Sequence, residues 1–199
     1  MNSREAHLVE LVDDNGQVTG QATVSAAHQL PGQLHRAYSV LLVDPAGRVL
    51  LQRRAAAKTR FPLRWANSCC GHPPPGEPLA AAANRRLREE LGVGPVELTE
   101  IGVYVYHAED PATGKVEFEY DHILRGSLPT DTPLHPDPDE VAELRWVIPS
   151  ELATDIDANP YAYAPWLGEV LHRLIQLGEP TALRPGRAGE DVPERSGGG

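Results

Sequence analysis

Between Gly71 and Val93, residue spacing alone dictates a loop, a helix and the end of that helix. Five residues separate Gly71 from Glu77, and seven more separate Glu77 from Arg85. The run Arg86-Leu87-Arg88-Glu89-Glu90-Leu91-Gly92-Val93 follows. Within PLAAAANRRLREELG the apolar residues Leu79, Ala83, Leu87 and Leu91 recur every fourth position, the pattern of a helix with one buried stripe, and Gly92 supplies the stop. Carboxylates on such a helix can hold Mg2+, and Mg2+ can hold a diphosphate. Arg86 and Glu90 are four apart and share a face. They are either a surface ion pair, worth roughly a few tenths of a kcal/mol, or a guanidinium for a phosphate beside a carboxylate for its Mg2+.

The rest of the chain alternates strand patterns with turn signals. HLVELVDDNGQVTG reads as a hairpin around Asp-Asn-Gly, and YSVLLVDPAGRVLLQRR as a second hairpin around Asp-Pro-Ala-Gly. AAHQLPGQLH and the segment from Ala55 to Pro75 read as loops. Strands are expected at VELTEIGVYVYHA, VEFEYDHILRG and ELRWVI. Ser150 is expected to cap a short helix, and APWLGEVLHRLIQLG reads as a final amphipathic helix. The pattern predicts an α+β fold, a mixed sheet packed between helices, as one domain over residues 1–178. Residues 179–199, rich in Gly, Pro and charge, are expected to form a disordered tail.

Composition removes several function classes. The 199 residues carry a formal net charge of −10, and no basic tail or basic-aromatic alternation is present, so nucleic acid is not an expected partner. No apolar run reaches the roughly 18 residues of a membrane span. The N-terminus lacks the apolar core of a secretory signal. The chain has two cysteines, the adjacent Cys69 and Cys70. Their α-carbons, about 3.8 Å apart, are too close for a relaxed disulfide. Free thiols fit a reducing cytoplasm, the expected location.

Two further groups of residues could carry chemistry. His28, His35 and His72, with Glu117 and Glu119, could form a divalent-metal site of mixed nitrogen and oxygen ligands. Glu117 and Glu119 lie two apart on a strand and so project from one face. The competing reading of EFEYD puts Glu117, Glu119 and Asp121 in water and Phe118 and Tyr120 in the core. Each histidine alone also fits a surface or packing role.

The Gly71–Val93 pattern resembles the Nudix signature at every fixed position but one, where Arg86 replaces a glutamate. More specifically, AAHQLPGQLHRAYSV, the Trp65–Pro73 run containing Cys-Gly-His-Pro, RRLREELGV, VEFE and APW resemble the type I isopentenyl-diphosphate isomerases, a Nudix-fold family, over roughly residues 7 to 176. The resemblance implies interconversion of isopentenyl and dimethylallyl diphosphate by protonation and deprotonation through a tertiary carbocation. It implies Cys70 and Glu119 as the acid/base pair, the thiol's pKa lowered by nearby positive charge, Tyr106 tuning Glu119, and Trp166 lending its π-face to the cation. It implies that His28, His35, His72, Glu117 and Glu119 surround one divalent metal (Mn2+, Mg2+ or Zn2+). Glu90, with the Cys70 carbonyl, would bind Mg2+ that arrives with the diphosphate, and Arg54, Lys58 and Arg86 would grip the phosphates. It gives Cys69 no role beyond packing.

The chain departs from the family where Val24 replaces a usual lysine and where Leu63-Arg64 enter a pocket-forming loop. Either change could reshape the cavity, or Arg64 could stand in for the lysine. The alternative substrate is therefore another isoprenoid diphosphate, including that of a proton-initiated terpene cyclase. A Nudix pyrophosphohydrolase is disfavoured by Arg86. A non-catalytic metal- or diphosphate-binding module is disfavoured by the presence of both proton-transfer candidates.

Overall fold

The computed structural model describes residues 3–178, so the expected tail from residue 179 lies outside the described residues. Strand β3 (His35–Val43) is the hub. It pairs antiparallel with β1 (Leu8–Val12), β4 (Val49–Arg54) and β6 (Cys69–Gly71), and parallel with β8 (Lys115–Ser127). The expected hairpins are present: β1 with β2 (Val18–Thr23), and β3 with β4. Strand β7 (Leu98–Asp110) pairs antiparallel with β8, while β5 (Trp65–Ala66) and β9 (Val141–Val147) both pair with β4.

Because β3 is buried on both faces, it reads as nearly continuous apolar sequence rather than as alternation. Tyr38, Val40 and Leu42 pack on one side with Ala83, Leu87 and Leu91 of helix α2 (Leu79–Leu91). Leu41 and Val43 pack on the other side with Leu167, Val170, Leu171 and Leu174 of a C-terminal helix, Leu167–Gly178. The sheet therefore lies between helices, as expected. Fully burying a leucine such as Leu87 or Leu91 contributes about 2 kcal/mol.

Two glycines of the loop–helix pattern have concrete causes. Gly92 adopts φ +70° and closes α2 in the left-handed conformation. A Cβ at Gly71 would lie 2.7 Å from the Tyr38 hydroxyl, so β6 approaches β3 only without a side chain there.

Four local expectations need correction. The segment read as loop from Ala26 starts inside a one-turn helix, α1 (Val24–Ala27), whose first turn is capped by the Thr23 hydroxyl accepting from the Ala26 N–H. The segment Ala55–Pro75 contains β5 and β6, because Cys69 belongs to the core and its backbone pairs with Val40. Helix α3 (Pro149–Ala158) is capped by Ile148 rather than Ser150, since Pro149 occupies the first helical position, where its missing N–H costs nothing. Its successor, Leu167–Gly178, is α4. Finally, EFEYD is inverted relative to the simple alternation: Glu117, Glu119 and Asp121 are buried, while Phe118 and Tyr120 are partly exposed.

A candidate metal cluster and cation-lined cavity

The parallel pairing of β3 with β8 sets His35 beside Glu119 in register. His28 follows α1 directly, and His72 follows β6. Their metal-capable atoms and those of Glu117 and Glu119 all lie within 4.8 Å of one another. The local chain orients them. His28 Nδ1 lies 2.6 Å from the Val24 carbonyl and His35 Nδ1 lies 2.8 Å from the Gln33 carbonyl, so each Nδ1 carries the proton and each Nε2 offers a lone pair inward.

This cluster is short of donors. His28 Nε2, His35 Nε2 and Glu117 Oε2 are buried with no hydrogen-bond partner. His28 Nε2 and Glu117 Oε2 are only 2.8 Å apart, yet they are not aligned as donor and acceptor. Buried lone pairs aimed at a common point are costly unless a cation fills it. Three imidazole nitrogens and two carboxylates fit a divalent transition metal or Mg2+. Burial, then the adjacent His28 ring, depresses His35 to about 3, and burial, then His35, holds His72 well below the usual imidazole range. Neutral imidazole is the metal-binding form. Burial works to raise Glu117, but His28 and Arg60 beside it hold it well below the usual carboxylate range. Glu119 is pushed well above that range by burial and by Glu117 and Asp121.

A cavity of about 770 Å3 adjoins the cluster. Cys70, Glu119, Tyr106 and Trp166 border it, as do Arg54, Lys58 and Arg86. The Tyr106 hydroxyl donates to Glu119 Oε2 at 2.6 Å, and His72 Nε2 lies 2.8 Å from Glu119 Oε1. Burial, then the Asp121 charge, pushes the Cys70 thiol up to about 12, with Arg54 working the other way. The expectation of a lowered thiol pKa is therefore reversed in the ligand-free chain, because burial outweighs the nearby guanidinium. Cys69 is a fully buried core residue, and both cysteines are free thiols.

The cationic side of the cavity is built differently. Arg86 pairs with Glu90, with Glu89 at 2.7 Å and with Glu140 at 3.4 Å. Lys58 pairs with Glu140 and reaches Glu90 at 3.5 Å. Gln52 donates to Glu90 at 2.9 Å. Burial works against the Glu90 charge, but Lys58 and Arg86 outweigh it and pull Glu90 down to about 2. Glu90 thus belongs to this cationic group and not to the five-residue cluster. Arg54 is buried, donates to the Arg60 and Phe61 carbonyls, and stands 5.6 Å from the Trp166 ring centre. Neither Arg54 nor Lys58 is a solvated side chain.

Leu63 and Arg64 do not border the cavity. Leu63 is exposed, and Arg64 lies over the exposed Tyr161 ring. The buried Val24 does border it. Sequence reasoning missed Arg60, which donates to Glu117 at 3.0 Å, and Glu140, which ties Lys58 to Arg86. Neither sits in a periodic or spaced pattern. Among the described residues, no helix is long and apolar enough to cross a membrane.

The NUDIX domain profile matches residues 33–173. The chain is 63% identical over 163 residues to the isopentenyl-diphosphate Delta-isomerase of Nocardia farcinica, covering 82% of this chain and 91% of the relative. It is 50% identical over 167 residues to that of Streptomyces griseus, covering 84% and 83%. Among solved structures, DR0079 from Deinococcus radiodurans superposes with a TM-score of 0.68 at 22% identity, covering 84% of this chain and 99% of that one, a likeness of fold alone. A buried five-donor cluster, a cation-lined cavity and these identities converge: the chain belongs to the isopentenyl-diphosphate Delta-isomerase family of the Nudix superfamily.

Proposed function

We propose that the protein interconverts isopentenyl and dimethylallyl diphosphate. The observation that carries this reading is that Cys70 and Glu119 line the same cavity as Lys58 and Arg86. Arg54, Lys58 and Arg86 hold the diphosphate, together with Mg2+ that Glu90 helps to bind. Arg86 can offer a phosphate oxygen charge-assisted hydrogen bonds. The hydrocarbon end then lies toward Cys70, Glu119 and Trp166.

A proton delivered to the terminal methylene of isopentenyl diphosphate leaves a tertiary cation. Removal of a proton from the carbon nearer the diphosphate completes the double-bond shift. One of Cys70 and Glu119 delivers the first proton and the other removes the second, and the roles exchange in the reverse direction. The Trp166 ring stabilises the cation by about 2 kcal/mol in a dry site. Tyr106 fixes one oxygen of Glu119 by donating to it. His28, His35, His72, Glu117 and Glu119 would hold a divalent ion (Mn2+, Mg2+ or Zn2+), which would supply positive charge that favours ionised Glu119. Arg60 steadies Glu117 from behind.

The test is incubation with isopentenyl, geranyl and farnesyl diphosphates, with product analysis, for wild type, Cys70→Ala and Cys69→Ala. The expected result is dimethylallyl diphosphate from wild type and Cys69→Ala and none from Cys70→Ala. Equal loss in both folded variants would overturn the role of Cys70. Cyclic or rearranged products from the longer substrates alone would favour the cyclase alternative.

A further inference from the structure

Asn67, between β5 and β6, is completely buried, and every polar capacity of its side chain is used. Its Nδ2 donates to the Val40 carbonyl at 3.2 Å and to the Cys69 carbonyl at 2.8 Å. Its Oδ1 accepts from Trp166 Nε1 at 3.0 Å, across 99 positions of sequence, and from Cys70 Sγ at 3.1 Å. The orientation of the amide is forced. An indole nitrogen is only a donor and the two carbonyls are only acceptors, so a flipped amide would oppose like groups at three contacts. The same oxygen therefore meets both Cys70 and Trp166, and it can take only the S–H of the thiol.

We propose that Asn67 is a positioning residue whose single amide oxygen locks the Cys70 sulfur and the Trp166 ring into one unit. The proposal rests on the roles given above to Cys70 and Trp166. The sulfur exchanges a proton with a carbon next to the developing cation, and the ring faces that cation. Their separation must hold while charge appears. An anchor shared by both side chains, itself tied to β3 through Val40, meets that need without touching the substrate. Displacing a reacting group by about 1 Å can cost about a hundredfold in rate.

The experiment compares Asn67→Ala with Ser68→Ala in the metal-loaded enzyme. Ser68 is equally buried and its hydroxyl makes two hydrogen bonds, to the Leu50 carbonyl and from the Leu42 N–H, so Ser68→Ala reports the loss of buried hydrogen bonds beside Asn67 that reach neither Cys70 nor Trp166. Asn67→Ala is expected to lower kcat about a hundredfold with KM little changed, while Ser68→Ala lowers stability with kcat within about threefold of wild type. The indole N–H resonance of Trp166, identified by its loss in Trp166→Phe, is expected to shift in Asn67→Ala and also in Cys70→Ala, but not in Ser68→Ala. Unchanged kcat in Asn67→Ala, a rise in KM alone, or an indole resonance blind to Cys70→Ala would overturn the proposal. Should Asn67→Ala fail to fold, the Cys70→Ala indole shift and the alkylation rate of Cys70 in Trp166→Phe, expected to differ severalfold from wild type, decide it. If wild type fails to isomerise isopentenyl diphosphate, the reaction reading falls, and the indole and alkylation measurements still judge the coupling by themselves.

Discussion

Two charged clusters border the same cavity and are built on opposite principles. The cluster of His28, His35, His72, Glu117 and Glu119 leaves buried lone pairs unmatched. The group formed by Arg4, Lys58, Arg86, Glu89, Glu90 and Glu140 matches its charges internally. The first is incomplete without a cation, so binding one removes a desolvation cost. The second is complete in the ligand-free chain, so an arriving anion must displace Glu140 or Glu90 from a guanidinium or ammonium. Such an exchange is favourable when the newcomer brings its own Mg2+ for the released carboxylate. On the reading proposed above, the unmatched cluster suits a resident divalent cation and the paired cluster a diphosphate that arrives and leaves.

The largest expected effect comes from attacking the incomplete cluster. Purified protein is expected to hold one divalent ion per chain, and Glu117→Ala or His72→Ala should lose it along with nearly all activity. Elemental analysis and turnover check this together. Adding back metal at about 100 times its dissociation constant should stabilise the chelated wild type by roughly 2.7 kcal/mol, with no such gain in Glu117→Ala. A protein with no stoichiometric metal after reconstitution would erase the contrast.

The two clusters should also differ in their response to pH. In the metal-free chain Glu90 is lowered from 4.5 to about 2. A depressed carboxylate contributes stability that is present above pH 4.5 and lost as pH falls toward 2, worth about 3 kcal/mol. Asp121, beside the incomplete cluster, is raised from 3.8 to about 8 by burial and by the Glu117 charge. A raised carboxylate does the reverse: stability is highest below pH 4 and declines as pH climbs through 8. Urea unfolding across this range should show both limbs. Glu90→Gln should flatten the acid limb and Asp121→Asn the alkaline one.

Arg86 is the next target. Loss of a charge-assisted hydrogen bond to phosphate costs about 1.5–3 kcal/mol, so Arg86→Ala should raise KM by roughly 10- to 100-fold. Arg86→Glu should raise it further, because a fourth carboxylate beside Glu89, Glu90 and Glu140 repels the anion. Equal KM in wild type and Arg86→Ala would mean that the internally matched cluster never opens to substrate. The smallest effect lies outside both clusters. Leu63 adopts φ +61° on an exposed loop. Leu63→Gly should stabilise the fold by about 1 kcal/mol at most and leave product distribution unchanged, measured by thermal unfolding and chromatography.

Much of this contrast was legible in the sequence, for a physical reason. Helix α2 is a local object, and its period, its Gly92 stop and the Arg86–Glu90 spacing are fixed within one stretch of chain. The burial of Glu117 and Glu119 was not local. Alternation on β8 says that they share a face, but only pairing with β3 and the arrival of His28, His35 and His72 from three other segments decides that this face is inside. Residue types made the five residues candidate ligands, and only the family resemblance implied that they surround one metal. Arg60 and Glu140 meet partners far away in sequence, as Asn67 meets Trp166, so no periodicity marks them. Leu63 and Arg64 misled for the complementary reason: a conspicuous departure in a loop need not face the cavity, and these two face solvent or an exposed ring.

On the proposed reading the cationic cluster holds an intact diphosphate while proton chemistry occurs beside the histidine–glutamate cluster. Proton and phosphorus NMR of isopentenyl diphosphate with the metal-loaded enzyme in D2O tests it in one tube. The expected product is dimethylallyl diphosphate carrying solvent deuterium, with both phosphorus signals preserved as an ester. Release of phosphate or pyrophosphate without a shifted double bond would contradict it.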